Sequence, residues 1–112
     1  MKEKERRERF DALSELGCAI CGRPPQIHHL IGLKYRGMGQ KADDEHTIPL
    51  CMDHHTGGQG IHTMGKRAWE DAFGTQDELL EVTELKLEML RQIQLNGYVD
   101  VESFDENNEQ NQ

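Results

Sequence analysis

All nine cysteines and histidines of this 112-residue chain fall between residues 18 and 62. Two pairs stand at matching spacing, Cys18-x-x-Cys21 and Cys51-x-x-His54. Two residues between ligands let a tight turn bring both donor atoms onto one ion, so the pairs read as two halves of a tetrahedral zinc site. The competing reading is a redox dithiol at Cys18 and Cys21 with Cys51 unrelated to it. Only 35% of the residues are hydrophobic and 5% aromatic, which limits the core the chain can bury. A metal staple gives such a chain stability that its apolar surface cannot.

Five histidines remain outside that quartet: His28, His29, His46, His55 and His62. His28 and His29 are adjacent, and on a strand adjacent side chains point to opposite faces. They are therefore expected to divide the work, one as a metal ligand and one as an acid or base. Imidazole suits both tasks, because its ordinary pKa near ~6.5 lets it give and take protons at neutral pH.

The rest of the chain reads as α+β. Residues 2–16 form a charged helix with Phe10, Leu13 and Leu16 on one side, ending at Gly17. "QIHHLIGL" is the first short strand and "HTIPLC" the second, with Pro49 marking an edge or an end. The polar, glycine-containing segment 34–45 is expected to be a loop. A helical turn begins at Met52 or Asp53 and must be interrupted by Gly57, Gly58 and Gly60. "TMGKRAWEDAFG" predicts one short helix, with Trp69 and Phe73 as its core rather than as base-stacking groups. "TQDELLEVTELKLEMLRQIQLNG" is the clearest helix, capped at Thr75 or Asp77 and terminated by Gly97. Its stripe of Leu79, Val82, Leu85, Met89 and Ile93 is expected to pack over the cysteine knuckle and the N-terminal helix, or to form an oligomer contact. One domain over residues 1–98 follows, with its core at about 17–74 and a C-terminal helix at about 76–96. The acidic tail 99–112 is expected to be disordered.

The net charge of −8 is unevenly spread. Residues 76–112 carry ten Asp/Glu against two Lys/Arg, whereas residues 22–67 carry four against six. The histidine region is thus mildly basic, and a bound cation would make it more so. Lys34, Arg36, Lys41, Lys66 and Arg67 flank that region as candidate phosphate contacts. No apolar run is long enough for a membrane span, and "MKEKERRERF" lacks the apolar run of a secretory signal, so an intracellular protein is expected.

Taken together, the His-His strand, the "xIPLC" strand, C-x-x-H-H and a further His resemble the HNH, or ββα-metal, nucleases. More closely, "GMGQKADDEHTIPLCMDHHTGGQGIHTMGKRAWEDAFGT" is similar to the Ref family of phage-encoded, RecA-dependent HNH endonucleases. The likeness covers roughly residues 10–98. It implies a small HNH finger with a structural zinc knuckle, flanked by N- and C-terminal helices. It implies His29 as general base and His28, His55 and His62 as ligands of a catalytic divalent cation. Cys18, Cys21, Cys51 and His54 correspond to the structural zinc quartet. His46 stands where the family has its Asn, and would orient the base or approach the metal. DNA is then the substrate, a RecA filament a partner, and a bacterial cytoplasm the setting.

The chemistry is coherent with that resemblance. Phosphodiester hydrolysis needs a base for water and a cation such as Mg²⁺ or Mn²⁺ to relieve charge on the phosphate and the leaving oxygen. A shell made wholly of imidazole would also take Zn²⁺ or Ni²⁺. The alternative is a non-catalytic zinc module that recognises nucleic acid.

Overall fold

The computed structural model describes residues 1–32, 34–35 and 42–96. Helix α1 spans Glu3–Leu16 and is followed by strands β1 (Gln26–His29) and β2 (Thr47–Leu50). Four further helices follow: α2 (Met52–His55), α3 (Ile61–Met64), α4 (Lys66–Phe73) and α5 (Gln76–Leu95). The architecture is α+β, with a two-stranded antiparallel sheet among the described residues. No described helix is long and apolar enough to cross a membrane.

Register in the sheet pairs Gln26 with Leu50, Ile27 with Pro49, His28 with Ile48 and His29 with Thr47. Pro49 lies within β2 rather than ending it, which a two-stranded sheet permits because each strand has an unpaired edge. Between α1 and β1 the chain makes a tight knuckle. Gly17 turns it with φ +82°, and a Cβ there would lie 2.5 Å from the Gly22 carbonyl oxygen. Backbone bonds Gly22 N→Cys18 O (2.9 Å) and Cys18 N→Arg23 O (2.8 Å) close the turn.

A two-stranded sheet has little stability alone and must be covered. Ile48, Leu50, Leu30, Ile61 and Trp69 form the core beside Cys18 and Cys51, with Phe73, Leu79 and Leu80 packed against it. Trp69 is fully buried and its indole Nε1 donates to the Gln59 carbonyl at 3.1 Å, so it is a core residue as expected. The single helix expected over "TMGKRAWEDAFG" is instead two, α3 and α4. Gly65 separates them at φ +93°, a left-handed value at which a helix cannot continue.

Helix α5 begins as anticipated, with a reciprocal cap. Glu78 N donates to Thr75 Oγ1 and Thr75 N to Glu78 Oε1, each at 3.1 Å. Its rotation, however, differs from expectation. Leu79 packs on the core, but Val82, Leu85, Met89 and Ile93 are 47%, 63%, 65% and 43% exposed. The buried face instead carries Gln76 and Thr83, seven residues apart and hence on one side of the helix. Gln76 is held by both backbone groups of Ile31, receiving from N and donating to O at 2.9 Å each. Those bonds, with the Arg9–Glu84 ion pair at 2.8 Å, orient α5 against β2 and α1 and leave the apolar stripe outward. Gly97 and the tail 99–112 lie outside the described residues, as do Arg36 and Lys41.

This rotation makes a simple test. Leu85→Gln and Met89→Gln should change the unfolding free energy in urea by less than about 0.5 kcal/mol. Trp69→Ala should lower it by about 3–5 kcal/mol. A large loss from Leu85→Gln would show that the stripe is buried in solution.

Candidate metal centres

The Cys18–Cys21 knuckle and the first turn of α2 meet at the end of β2. Cys51 is the residue that caps α2, so His54, three residues on, comes back beside it. Cys51 Sγ lies 3.2 Å from His54 Nδ1, Cys18 Sγ 3.8 Å from that nitrogen, and Cys21 Sγ 3.7 Å from Cys51 Sγ. Sulfurs bound tetrahedrally at ~2.3 Å from one zinc would stand roughly 3.7 Å apart, so the spacing fits an ion. The four donor atoms all lie within 4.8 Å of one another, and the cysteines form no disulfide. The cluster could hold a metal such as zinc. The structure thus joins the cysteine pair to Cys51 and His54 rather than leaving it as a separate dithiol.

Its electrostatics favour a thiolate at the rim. The Arg23 guanidinium donates from Nε to Cys21 Sγ at 3.2 Å and brings that thiol down to about 6. Burial, by contrast, pushes the Cys51 thiol up. A cation among them would favour the deprotonated form of each.

The second cluster is His28, His55 and His62, whose donor atoms again lie within 4.8 Å of one another. Ring centroids are 5.0 Å apart for His28–His55, 5.3 Å for His28–His62 and 4.8 Å for His55–His62. His28 comes from β1, His55 from α2 and His62 from α3. The glycine loop returns His62 to the other two. Gly57 N donates to Met52 O and Gly60 N to Gly57 O. A Cβ on Gly60 would stand 2.6 Å from the carbonyl carbon and oxygen of His55, so the loop lies directly on the backbone of α2.

Hydrogen bonds select the tautomers. Gln76 Oε1 accepts from Ile31 N, which identifies it as the oxygen, and it also lies 3.0 Å from His28 Nε2. His28 must then carry its proton on Nε2. Its other nitrogen, Nδ1, is buried with no hydrogen-bond partner among the described residues. An unbonded imidazole lone pair on a ring packed against two further imidazoles is a donor that a cation can use. His55 Nδ1 lies 2.8 Å from Gln26 Oε1, so with the proton on Nδ1 the nitrogen left as a donor to a cation is Nε2. Burial, with His55, His62 and His29 nearby, brings His28 down to about 4 against the opposing Gln76 bond. His55 is lowered too, by burial first and then by His62 and His29. Both therefore remain neutral donors at physiological pH.

His29 projects from the opposite face of β1. Its Nε2 lies 2.8 Å from Asp44 Oδ1, and its ring meets Phe10 of α1 edge-on at 6.3 Å. His46 joins neither cluster. Its backbone prolongs the sheet, accepting from Leu30 N at 3.0 Å, while its ring tilts against Tyr35 at 5.7 Å. Its Nδ1 is buried with no bond to the described residues. Lys34 and Lys66 are both engaged with carboxylates, Lys34 with Asp77 at the start of α5 and Lys66 with Glu70 at 3.1 Å. Arg67 is exposed on α4. Asp44, Gln26, Gln76 and Arg23 were not singled out from the sequence. Each acts by touching a histidine or cysteine 15, 29, 48 or 2 residues away, and apart from Arg23 no local spacing announces that.

Three outcomes are expected. Cys51→Ala should lower both bound zinc and the melting temperature, read by elemental analysis and calorimetry. Gly60→Ala should weaken the histidine site while the cysteine site keeps its metal, which Co²⁺ spectra distinguish. For chelator-stripped protein, an unfolded His28 takes up its proton near 6.5 whereas the folded one resists until about 4. Acid between those values therefore favours unfolding, by about 3 kcal/mol at most. His28→Gln should flatten that part of the stability profile.

Comparisons place the chain among known sequences. It is 47% identical over 64 residues to "Uncharacterized protein YdfU" of Escherichia coli (strain K12), a match covering 56% of this chain and 17% of that protein. The chain thus spans well under a fifth of that relative. No solved structure matches it. The model of the family described as "Protein of unknown function (DUF968)" matches residues 5–88, from α1 through most of α5 and across every cysteine and histidine. The chain belongs to the DUF968 family.

Proposed function

We propose that this chain is a metal-dependent DNA endonuclease of the HNH, ββα-metal type, with the cysteine cluster as a structural zinc site. The observation that carries the reading is the convergence of His28, His55 and His62, with the buried His28 Nδ1 unbonded among the described residues and His29 on the other face of the same strand. A zinc-recognition module needs four ligands. Three further convergent imidazoles are surplus to it.

In this reading His28 Nδ1, His55 Nε2 and His62 hold one divalent cation, Mg²⁺ or Mn²⁺ by function, with Zn²⁺ or Ni²⁺ also suited to the imidazoles. When bound, the cation neutralises charge on the phosphate and eases departure of the 3′-oxygen. His29 removes the proton from the attacking water. The Asp44 carboxylate and the Phe10 ring keep its imidazole in one orientation. Lys66 and Arg67 at the start of α4 offer charge to the DNA backbone, as does Lys34, each exchanging a carboxylate or solvent for phosphate. Arg36 and Lys41 are assigned the same task from the sequence alone. Resemblance to phage recombination nucleases adds a RecA filament as a partner.

The test is nicking of supercoiled plasmid and of single-stranded DNA with Mg²⁺, Mn²⁺ or EDTA, with and without RecA. Cleavage is expected to need the cation and to fall by about 10²–10⁴-fold in His29→Ala. Undiminished cleavage by His29→Ala would remove the base assignment. Absence of cleavage in every lane by zinc-loaded protein would leave the recognition module as the better reading.

A further inference from the structure

We propose that Asp44 is a positioning residue for His29: it fixes the tautomer protonated on Nε2 and so makes Nδ1 the nitrogen that accepts a proton. The proposal rests on the nuclease reading for its catalytic meaning, but its structural half stands separately. Asp44 Oδ1 lies 2.8 Å from His29 Nε2. An ionised carboxylate only accepts hydrogen bonds, so the shared hydrogen belongs to Nε2. A base oriented by a third group is a recurrent arrangement wherever an imidazole must present one chosen nitrogen.

Asp44 is itself held from three helical or strand elements. Thr47 Oγ1 donates to the Asp44 carbonyl at 2.8 Å, and Thr47 is fully buried. That hydroxyl accepts in turn from Arg9 Nε at 2.9 Å, while Arg9 Nη2 donates to Thr47 O at 2.8 Å. The third arm of the guanidinium, Nη1, meets Glu84 Oε2 at 2.8 Å. Four residues, Glu84, Arg9, Thr47 and Asp44, thus link α5, α1, β2 and the turn before β2 to the candidate base. Arg6 Nε stands 3.8 Å from the other carboxylate oxygen, Oδ2. Arg9, with 10% of its side chain exposed, brackets the buried Thr47 through its side-chain and backbone oxygens.

Long-range ¹H–¹⁵N correlation on the zinc-loaded full chain, at a pH where the ring is neutral, reads the His29 tautomer directly. Plasmid nicking gives kcat and KM in parallel. Wild type should show the Nε2–H form. Asp44→Ala should show a mixture and lose roughly 10- to 100-fold in kcat with KM little changed, the range for removing a group that orients a catalytic side chain. Asp44→Glu should recover part of both. Thr47→Val, which keeps the strand and removes only the hydroxyl, should shift the tautomer in the same direction by less. An Nδ1–H form in wild type, or an Nε2–H form that survives Asp44→Ala, overturns the proposal. So does an unchanged kcat once the tautomer is lost. A tautomer that follows Asp44 in a protein that cuts no DNA upholds the positioning and refutes the nuclease reading.

Discussion

Cys51 stands at the end of β2 and at the cap of α2, and the turn that follows returns His54 Nδ1 to within 3.2 Å of its sulfur. That contact joins strand, knuckle and helix at one point. The sheet has two short strands and the core only a handful of large apolar side chains, so neither would fix the geometry by burial alone. Four donors converging on one place supply a constraint that is directional as well as strong. Phe73 seals the arrangement from α4, its ring edge-on to His54 at 5.0 Å. The glycine loop, pinned by Trp69 through Gln59, then has a rigid surface to fold against.

Amides do for the second cluster what the knuckle does for the first. Gln76 is buried at the first position of α5 and bonds simultaneously to Ile31 and to His28. One side chain therefore sets both the roll of a twenty-residue helix and the protonated nitrogen of a candidate ligand. The bonds from Gln76 to Ile31 and His28 are made only when the face that carries the glutamine turns inward. The outward stripe from Val82 to Ile93 follows from that orientation.

Legibility in the sequence divides along the same line. The convergence of Cys18, Cys21, Cys51 and His54 could be read because ligand chemistry demands its spacing, and the placing of His28 and His29 on opposite faces because strand geometry demands alternation. His62 was recognisable only in kind: seven residues separate it from His55, and the close approach of Gly60 to the α2 backbone has no counterpart in a spacing rule. The packing of the α5 stripe over the knuckle and α1 was misread because apolar periodicity takes the apolar face to be the one buried within the chain. Gln76 and Thr83 reverse that. Asp44, in a polar stretch with two acidic neighbours, gave no sign that one carboxylate of the three reaches His29. Gly65 was visible as a glycine but not as the left-handed break between α3 and α4.

His54 and His55 are consecutive residues on one helical turn, yet they belong to different clusters. A single peptide bond is thus the mechanical link between them. An ion in the cysteine cluster would order the α2 turn, and the conformational entropy lost in doing so would not be lost again if His55 engaged a second ion. Two such ions would therefore bind with coupled affinities, and by thermodynamic necessity the coupling would be reciprocal.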